Sequence, residues 1–288
     1  MTTHDASRAT TARETRTDAH EPRHFSAPPS SPPLFTAARS GDARIAVTFG
    51  GQGATWLDAL RELHHAHPAV RTLTHSATER LRASASDPRL SALATPARGF
   101  DLARWIEHPE SAPPPEVLSS SLVSQAGIFT ASVARLLAMG ERGFDLDALA
   151  SLATATTGHS QGVMAALLFA EGFGFTGLVR RASELASYFF WQGYRMQESF
   201  VLAAVQPAVR AAAEQAGIGE PSPMAAVAGL TDALLAEALA KFHAANPQLP
   251  PIDVSLDNGY VRKVLSGPPA SLVAFAALPA CSATVWIC

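Results

Sequence analysis

The chain has 288 residues, 47% hydrophobic and 16% charged, which suits a folded globular protein and is too apolar for disorder throughout. A formal net charge of -3 argues against a general phosphate-backbone binder, so no nucleic-acid partner is expected. The two cysteines, Cys281 and Cys288, are too few for a disulfide framework, no apolar run reaches the roughly 18–20 residues that span a bilayer, and the N-terminus lacks an apolar signal core; a cytoplasmic chain with no membrane contact is expected.

Residues 1–41 are rich in Thr, Ser, Arg and His and run into Pro28-Pro29-Ser30-Ser31-Pro32-Pro33. They bury too little apolar surface to offset their ordering entropy and read as a disordered tail. Ile45–Phe49 is a short apolar, β-branched run that reads as a buried strand, closed by Gly50-Gly51. Helical periodicity follows over Leu57–Leu63, around Val70–Leu81, and over Leu118–Met139, with a Pro-rich break at residues 113–115 and Gly140 as a stop. Leu152–Thr157 is a second strand, and Val163–Ala170 and Leu178–Gln197 are helices.

The rhythm changes after about Ser222. Met224–Ala228 predicts a strand, and Thr231 caps a helix ending near Ala245. Ile252–Leu256 and Val261–Leu265 predict a hairpin across Asn258-Gly259, and Pro268-Pro269 opens a helix to about Leu278. This β-α-β-β-α order is ferredoxin-like and lacks only a last strand, for which Ser282–Ile287 has the right composition. The chain is therefore α/β, with a tail at 1–41, a large subdomain at 42–221 and a small, C-terminally incomplete ferredoxin-like subdomain at 222–288.

The central chemical signal is Gly158-His159-Ser160-Gln161-Gly162, between a strand and an apolar helix. Glycines flank a serine in this way where the turn is so sharp that a neighbouring Cβ would clash. The turn lifts the hydroxyl of Ser160 off the sheet and puts it at a helix N-terminus, where free N–H groups favour developing negative charge. Ser160 is the candidate nucleophile and the N–H of Gln161 a candidate oxyanion donor. The bland alternative is a serine that only caps the helix. The second signal, Gly50-Gly51-Gln52-Gly53, has neither a Lys-Ser/Thr ending nor G-x-G-x-x-G spacing, so a phosphate loop is a poor reading. It is either a plain turn or a backbone donor brought to the serine.

Together, Val47–Gly53 and Thr157–Gly162 resemble the acyltransferase family of fatty-acid and polyketide synthases. Ser222-Pro223-Met224, Val254–Gly259 and Leu265-Ser266-Gly267-Pro268-Pro269 sharpen this to the N-terminal acetyltransferase domain of the type I fatty acid synthase β subunit. The resemblance implies an α/β-hydrolase-like subdomain carrying an inserted ferredoxin-like one. It implies that Ser160 takes an acyl group from coenzyme A and passes it to the phosphopantetheine thiol of an acyl carrier protein, with other synthase domains or subunits as partners. It implies an oxyanion hole from the N–H groups of Gln52 and Gln161, a mostly structural His159, and no tightly bound cofactor. Malonyl-loading relatives carry an Arg about 25 residues after the nucleophile, suited to bidentate pairing with a carboxylate. Leu185 stands there instead, with Arg180 and Arg181 a turn or more earlier and expected on another face, so a short neutral acyl group such as acetyl is expected.

The family's general base is a His in a Pro-Val-x-x-x-Phe-His segment, and no such segment is present. His243 follows the serine but sits near a helix end and is a weak substitute. His64, His65 and His67 do not share a helical face with a carboxylate, so they read as a solvated helix end and no metal site is expected. Loss of the base costs on the order of a millionfold in a serine hydrolase. The chain thus reads as an impaired transferase, a truncated or frameshifted product or a fragment of a larger subunit, marginal in solubility. The alternatives are a silent module that docks a carrier protein, and an α/β-hydrolase esterase.

Overall fold

The computed structural model describes residues 32–51, 56–90, 98–172, 174–199, 205–219, 221–278 and 285–287. Most of the expected tail lies outside them, but its end does not behave as a tail. Pro33–Ser40 forms helix α1, with Pro33 at its first position and Gly41 closing it at φ 84°. Phe35 is 1% exposed and meets Phe144 edge-on, 5.9 Å between centroids. One buried aromatic supplies the apolar contact that composition alone did not reveal.

Contacts divide the chain into two compact units: Met1–Asp87, Arg98–Ser119 and Val123–Phe190 against Pro88–Ala97, Ser120–Leu122 and Trp191–Cys288. The division falls after Phe190, not at the expected 221/222, and it cuts a continuous 26-residue helix. The reason lies beyond that helix's midpoint. A Cβ on Gly193 would stand 2.2 Å from the carbonyl oxygen of Ser121, and Arg89 lies 5.2 Å over the Trp191 ring.

The first unit holds α1, β1 (Ile45–Phe49), α2 (Leu57–Ala66), α3 (Pro68–Ala85), α4 (Leu102–Glu107), α5 (Pro115–Ser119), most of α6 (Ser121–Glu141), α7 (Leu146–Leu152), β2 (Ala153–Gly158), α8 (Gly162–Ala170) and the start of α9 (Gly174–Ser199). Strands β1 and β2 pair in parallel, and in β1 only Ile45 and Phe49 are buried, so the expected fully buried strand is half-covered. Helix α6 forms the core with α9, where Phe129 and Phe189 stack at 4.6 Å. At 21 residues and mean hydropathy 1.4, α6 is long and apolar enough to cross a membrane, contrary to expectation; 83% of its apolar window is buried inside this fold.

The histidines of α2 also depart from expectation. His64 is 3% exposed and His67, just past the helix, is 8% exposed, whereas His65 is exposed as expected, so this helix end is packed on one side and solvated on the other. Helix α3 and the end of α6 cover the two buried rings: His64 Nδ1 lies 2.7 Å from Thr74 Oγ1 of α3, and His67 Nδ1 lies 2.9 Å from Glu141 of α6. Burial pushes the His64 imidazole below its usual range.

The second unit holds α10 (Pro207–Ala216), β3 (Met224–Ala228), α11 (Asp232–Ala245), β4 (Asp253–Asp257), β5 (Arg262–Ser266), α12 (Pro269–Ala276) and β6 (Val285–Ile287). Its sheet has the order β4-β5-β3-β6 with antiparallel neighbours. The expected incomplete sheet therefore has its fourth strand, β6, paired with β3. Ala225, Val227, Leu265, Phe242 and Phe275 form the core between sheet and helices. The hairpin turns at Gly259, φ 117°, whose N–H donates to Asp257 at 2.9 Å.

Candidate active site

Strands β1 and β2 end side by side, Phe49 opposite Gly158. Two turns leave that same end of the sheet. The N–H of His159 donates to the Phe49 carbonyl at 2.9 Å, and the N–H of Gly162 donates to the His159 carbonyl at 2.8 Å. Between them Ser160 takes φ 52°, the one non-glycine with positive φ among the described residues. Such a backbone costs about 1–3 kcal/mol and persists only where the surroundings enforce it. They do so here by close approach. A Cβ on Gly158 would lie 2.1 Å from the Gly162 carbonyl carbon, and one on Gly162 would lie 2.5 Å from the Phe49 carbonyl oxygen. Both glycines of the motif are sterically required, and Ser160 is exposed.

The glycine-rich turn after β1 meets this elbow. A Cβ on Gly51 would stand 2.5 Å from the His159 carbonyl oxygen and 3.0 Å from Ser160 Cβ. The turn therefore runs beside the serine, with Gly51 the residue of close approach; the donor expected from it is the N–H of the next residue. Gln52, with residues 53–55, lies outside the described residues.

Gln161 precedes the first turn of α8, and its backbone N–H makes no hydrogen bond among the described residues. Its side chain is 7% exposed, with neither amide atom partnered among the described residues. Gly162 packs the α8 N-terminus against the Phe49 carbonyl, and Phe169, near the other end of the helix, lies 6.1 Å from the Phe49 ring. His159 is exposed, and its Nδ1 lies 3.2 Å from where a Gly51 Cβ would be. Among the described residues no side chain hydrogen-bonds Ser160 Oγ. His243 belongs to the second unit, where its Nε2 accepts from the Ile252 N–H at 3.1 Å and ties the end of α11 to the approach of β4.

Leu185 is half-buried on α9 and lines a cavity of about 370 Å³ with Met164, Leu168, Arg181 and Glu184. Met164 sits one turn beyond Ser160 on α8, a position the helical spacing alone could have flagged. Arg181 was expected on another face, yet it shares the cavity because residues four apart are neighbours on a helix. Its guanidinium is 3.2 Å from the Glu184 carboxylate. Arg180 is exposed and is not part of that lining.

The family of starter unit:ACP transacylases, described from aflatoxin biosynthesis, matches residues 47–284. The fatty acid synthase β subunit TOXC of Cochliobolus carbonum is 31% identical over 252 residues, and the fatty acid synthase subunit β of Saccharomyces cerevisiae is 28% identical over 247. Each alignment covers 84% of this chain but only 12% of the relative, so the chain spans about an eighth of their length. Among solved structures, a malonyl-transacylase in complex with its type II polyketide synthase acyl-carrier protein superposes with TM-score 0.51 at 21% identity, covering 84% of this chain and 60% of that one. FabD from Acinetobacter baumannii gives TM-score 0.51 at 23% identity, with the same coverage. At such identity the likeness is one of fold, an α/β fold shared with these transacylases. The matched span takes in both the strand-end turn at Gly51 and the elbow at Ser160, and the chain belongs to the starter unit:ACP transacylase family.

Proposed function

We propose that this chain performs acyl transfer through Ser160. The hydroxyl oxygen attacks the thioester carbonyl of an acyl-CoA, the coenzyme A thiol departs, and an acyl-serine ester forms. The phosphopantetheine thiol of an acyl carrier protein then attacks that ester and regenerates the serine. The observation that carries this reading is the exposed Ser160 held at φ 52° beside Gly51. The N–H of Gln161, joined by that of Gln52, would receive the oxyanion, a contribution of about 2.7–4 kcal/mol per donor. The proposal includes an α/β-hydrolase-like subdomain with the ferredoxin-like one inserted, a cytoplasmic location, and a place among fatty acid synthase domains or subunits.

The acyl group in this reading is short and neutral. Leu185 offers no charge, and Arg181 is already paired with Glu184, so a malonyl carboxylate would compete for an occupied cation. Turnover by the chain alone is low in this reading, because no described side chain accepts the Ser160 proton and a serine hydroxyl is a weak nucleophile without a base. The same observation favours a second reading, a module that docks a carrier protein without chemistry.

Intact-protein mass spectrometry after incubation with acetyl-CoA separates the two. Transfer predicts an acetyl adduct on the Ser160 peptide, lost in Ser160→Ala and accelerated by added imidazole. Malonyl-CoA is expected to label more slowly, and Leu185→Arg to narrow that gap. No adduct with or without imidazole, and carrier-protein binding retained, would leave the docking module.

A further inference from the structure

Helices α2, α3 and α4 of the first unit bring together three side chains that no step above uses. His64 Nε2 lies 3.7 Å from Glu107 Oε1, and His75 Nε2 lies 3.6 Å from the same oxygen. These separations are longer than hydrogen bonds. They lie at and just beyond the spacing of ligands around one ion: with zinc–nitrogen and zinc–oxygen distances of about 2.0–2.2 Å, tetrahedral neighbours stand roughly 3.3–3.6 Å apart. All three ligand atoms lie within 4.8 Å of one another.

The hydrogen bonds behind this cluster set its chemistry. Thr74 Oγ1 reaches both the Arg71 carbonyl, at 2.9 Å, and His64 Nδ1, at 2.7 Å. With the hydroxyl proton given to the carbonyl, Nδ1 carries the imidazole proton and the Nε2 lone pair of neutral His64 faces a carboxylate oxygen. Two acceptors facing each other repel, and a cation between them satisfies both. The carboxylate's helix is held from both ends. The N–H of Ala103 donates to Thr78 Oγ1 at 2.9 Å, and Arg61 donates to the carbonyls of Trp105 and Ile106 at 3.1 and 3.3 Å. His64 is buried, whereas the side chains of His75 and Glu107 are 55% and 42% exposed and line an open cavity of about 580 Å³.

We propose that His64 Nε2, His75 Nε2 and Glu107 Oε1 bind one divalent transition-metal ion of the zinc class, with the remaining position open to water from the cavity. Two imidazoles and a carboxylate are a donor set that zinc accepts with a fourth position free, and imidazole suits zinc over magnesium or calcium.

The full chain, prepared without an affinity tag and stripped of metal, is titrated with Co(II) and then Zn(II). One Co(II) per chain with visible ligand-field absorption, bleached by an equivalent of Zn(II), is the expected result. His75→Ala and Glu107→Gln change exposed side chains and should each weaken binding more than tenfold, with far-UV circular dichroism unchanged. Thr74→Val, nearly isosteric, should weaken it by about 10–100-fold through loss of the His64 orientation. No uptake would overturn the site, and so would uptake at undiminished affinity in the His75→Ala/Glu107→Gln double variant, which would assign the ion to other histidines such as His4, His20 and His24.

Discussion

Ser160 holds its hydroxyl on a backbone that costs energy, and that cost is separable from its chemistry. Glycine at the same φ of 52° carries no Cβ penalty. Ser160→Gly should therefore raise the unfolding free energy by about 1 kcal/mol while abolishing the acetyl adduct. Denaturant midpoints measured beside the mass-spectrometric label test both halves, and a destabilised Ser160→Gly would show that the elbow is not strained. Gly158 and Gly162 tell the complementary story. Their neighbours are backbone atoms at 2.1 and 2.5 Å from a would-be Cβ, and backbone cannot rotate away as a side chain can. Elsewhere a short side chain serves as a cap: Asp145 accepts from the N–H groups of both Asp147 and Ala148 at 3.0 Å, which satisfies two donors at the start of α7.

Among the elements, α8 matters most for the site, because it joins the elbow to the hydrophobic core. Ala165, Ala166, Leu168 and Phe169 are buried, and Val163 and Leu167 on the other face are 45% and 53% exposed. The helix is apolar on both faces, so its position is set by packing with β1 and β2 and not by amphipathic contrast. Helix α11 shows a different dependence. Thr231 accepts the N–H of Leu234 at 3.4 Å, and the helix supplies Leu235, Leu239 and Phe242 to the core of the second unit. Thr231→Ala should cost about 1 kcal/mol of that unit's stability. Urea unfolding followed by a probe in residues 224–278 is the measurement, and an unchanged midpoint would show that the long cap bond contributes nothing.

At the scale of the whole molecule, one cluster in the second unit links stability to pH at both ends of the scale. Lys263, with its side chain 6% exposed, reaches Asp232 at 2.7 Å and Asp257 at 2.6 Å. The hydrogen bond from Lys263 and that from the Gly259 N–H hold the Asp257 carboxyl below its usual range. The two carboxylates hold the Lys263 ammonium above its own. A carboxyl with a lowered folded pKa contributes stability that is present above its unfolded value, about 3.9, and is lost as pH falls through the folded one. An ammonium with a raised folded pKa contributes below its unfolded value, about 10.4, and loses that contribution as pH rises through the folded one. The cluster should thus support the second unit across a plateau between about pH 4 and 10, with losses on both flanks. Both carboxylates are 68% exposed, so salt should flatten the effect. Lys263→Met should remove the alkaline flank from a plot of thermal midpoint against pH and shrink the acid flank to the part that the Gly259 N–H supports, and persistence of the alkaline flank would assign it elsewhere.

The sequence by itself determined the features whose causes act within a few residues. Steric crowding at Gly158 and Gly162 announced the elbow, Asn258-Gly259 the hairpin, Thr231 the start of α11, and a 3.6-residue period the long helices. Met224–Ala228 forms the expected strand, bound for bound. Tertiary structure decided whatever depends on partners far along the chain. Phe35 orders α1 because Phe144 is there to meet it. His64 is buried because α3 folds back over it and brings Thr74 and His75, and α4 brings Glu107. The border between units falls inside α9 because Gly193 lets Ser121 approach. Turn sterics, caps and periodicity are written locally, whereas burial, pairing and the meeting of ligands are properties of surfaces that exist only once distant segments have closed on one another.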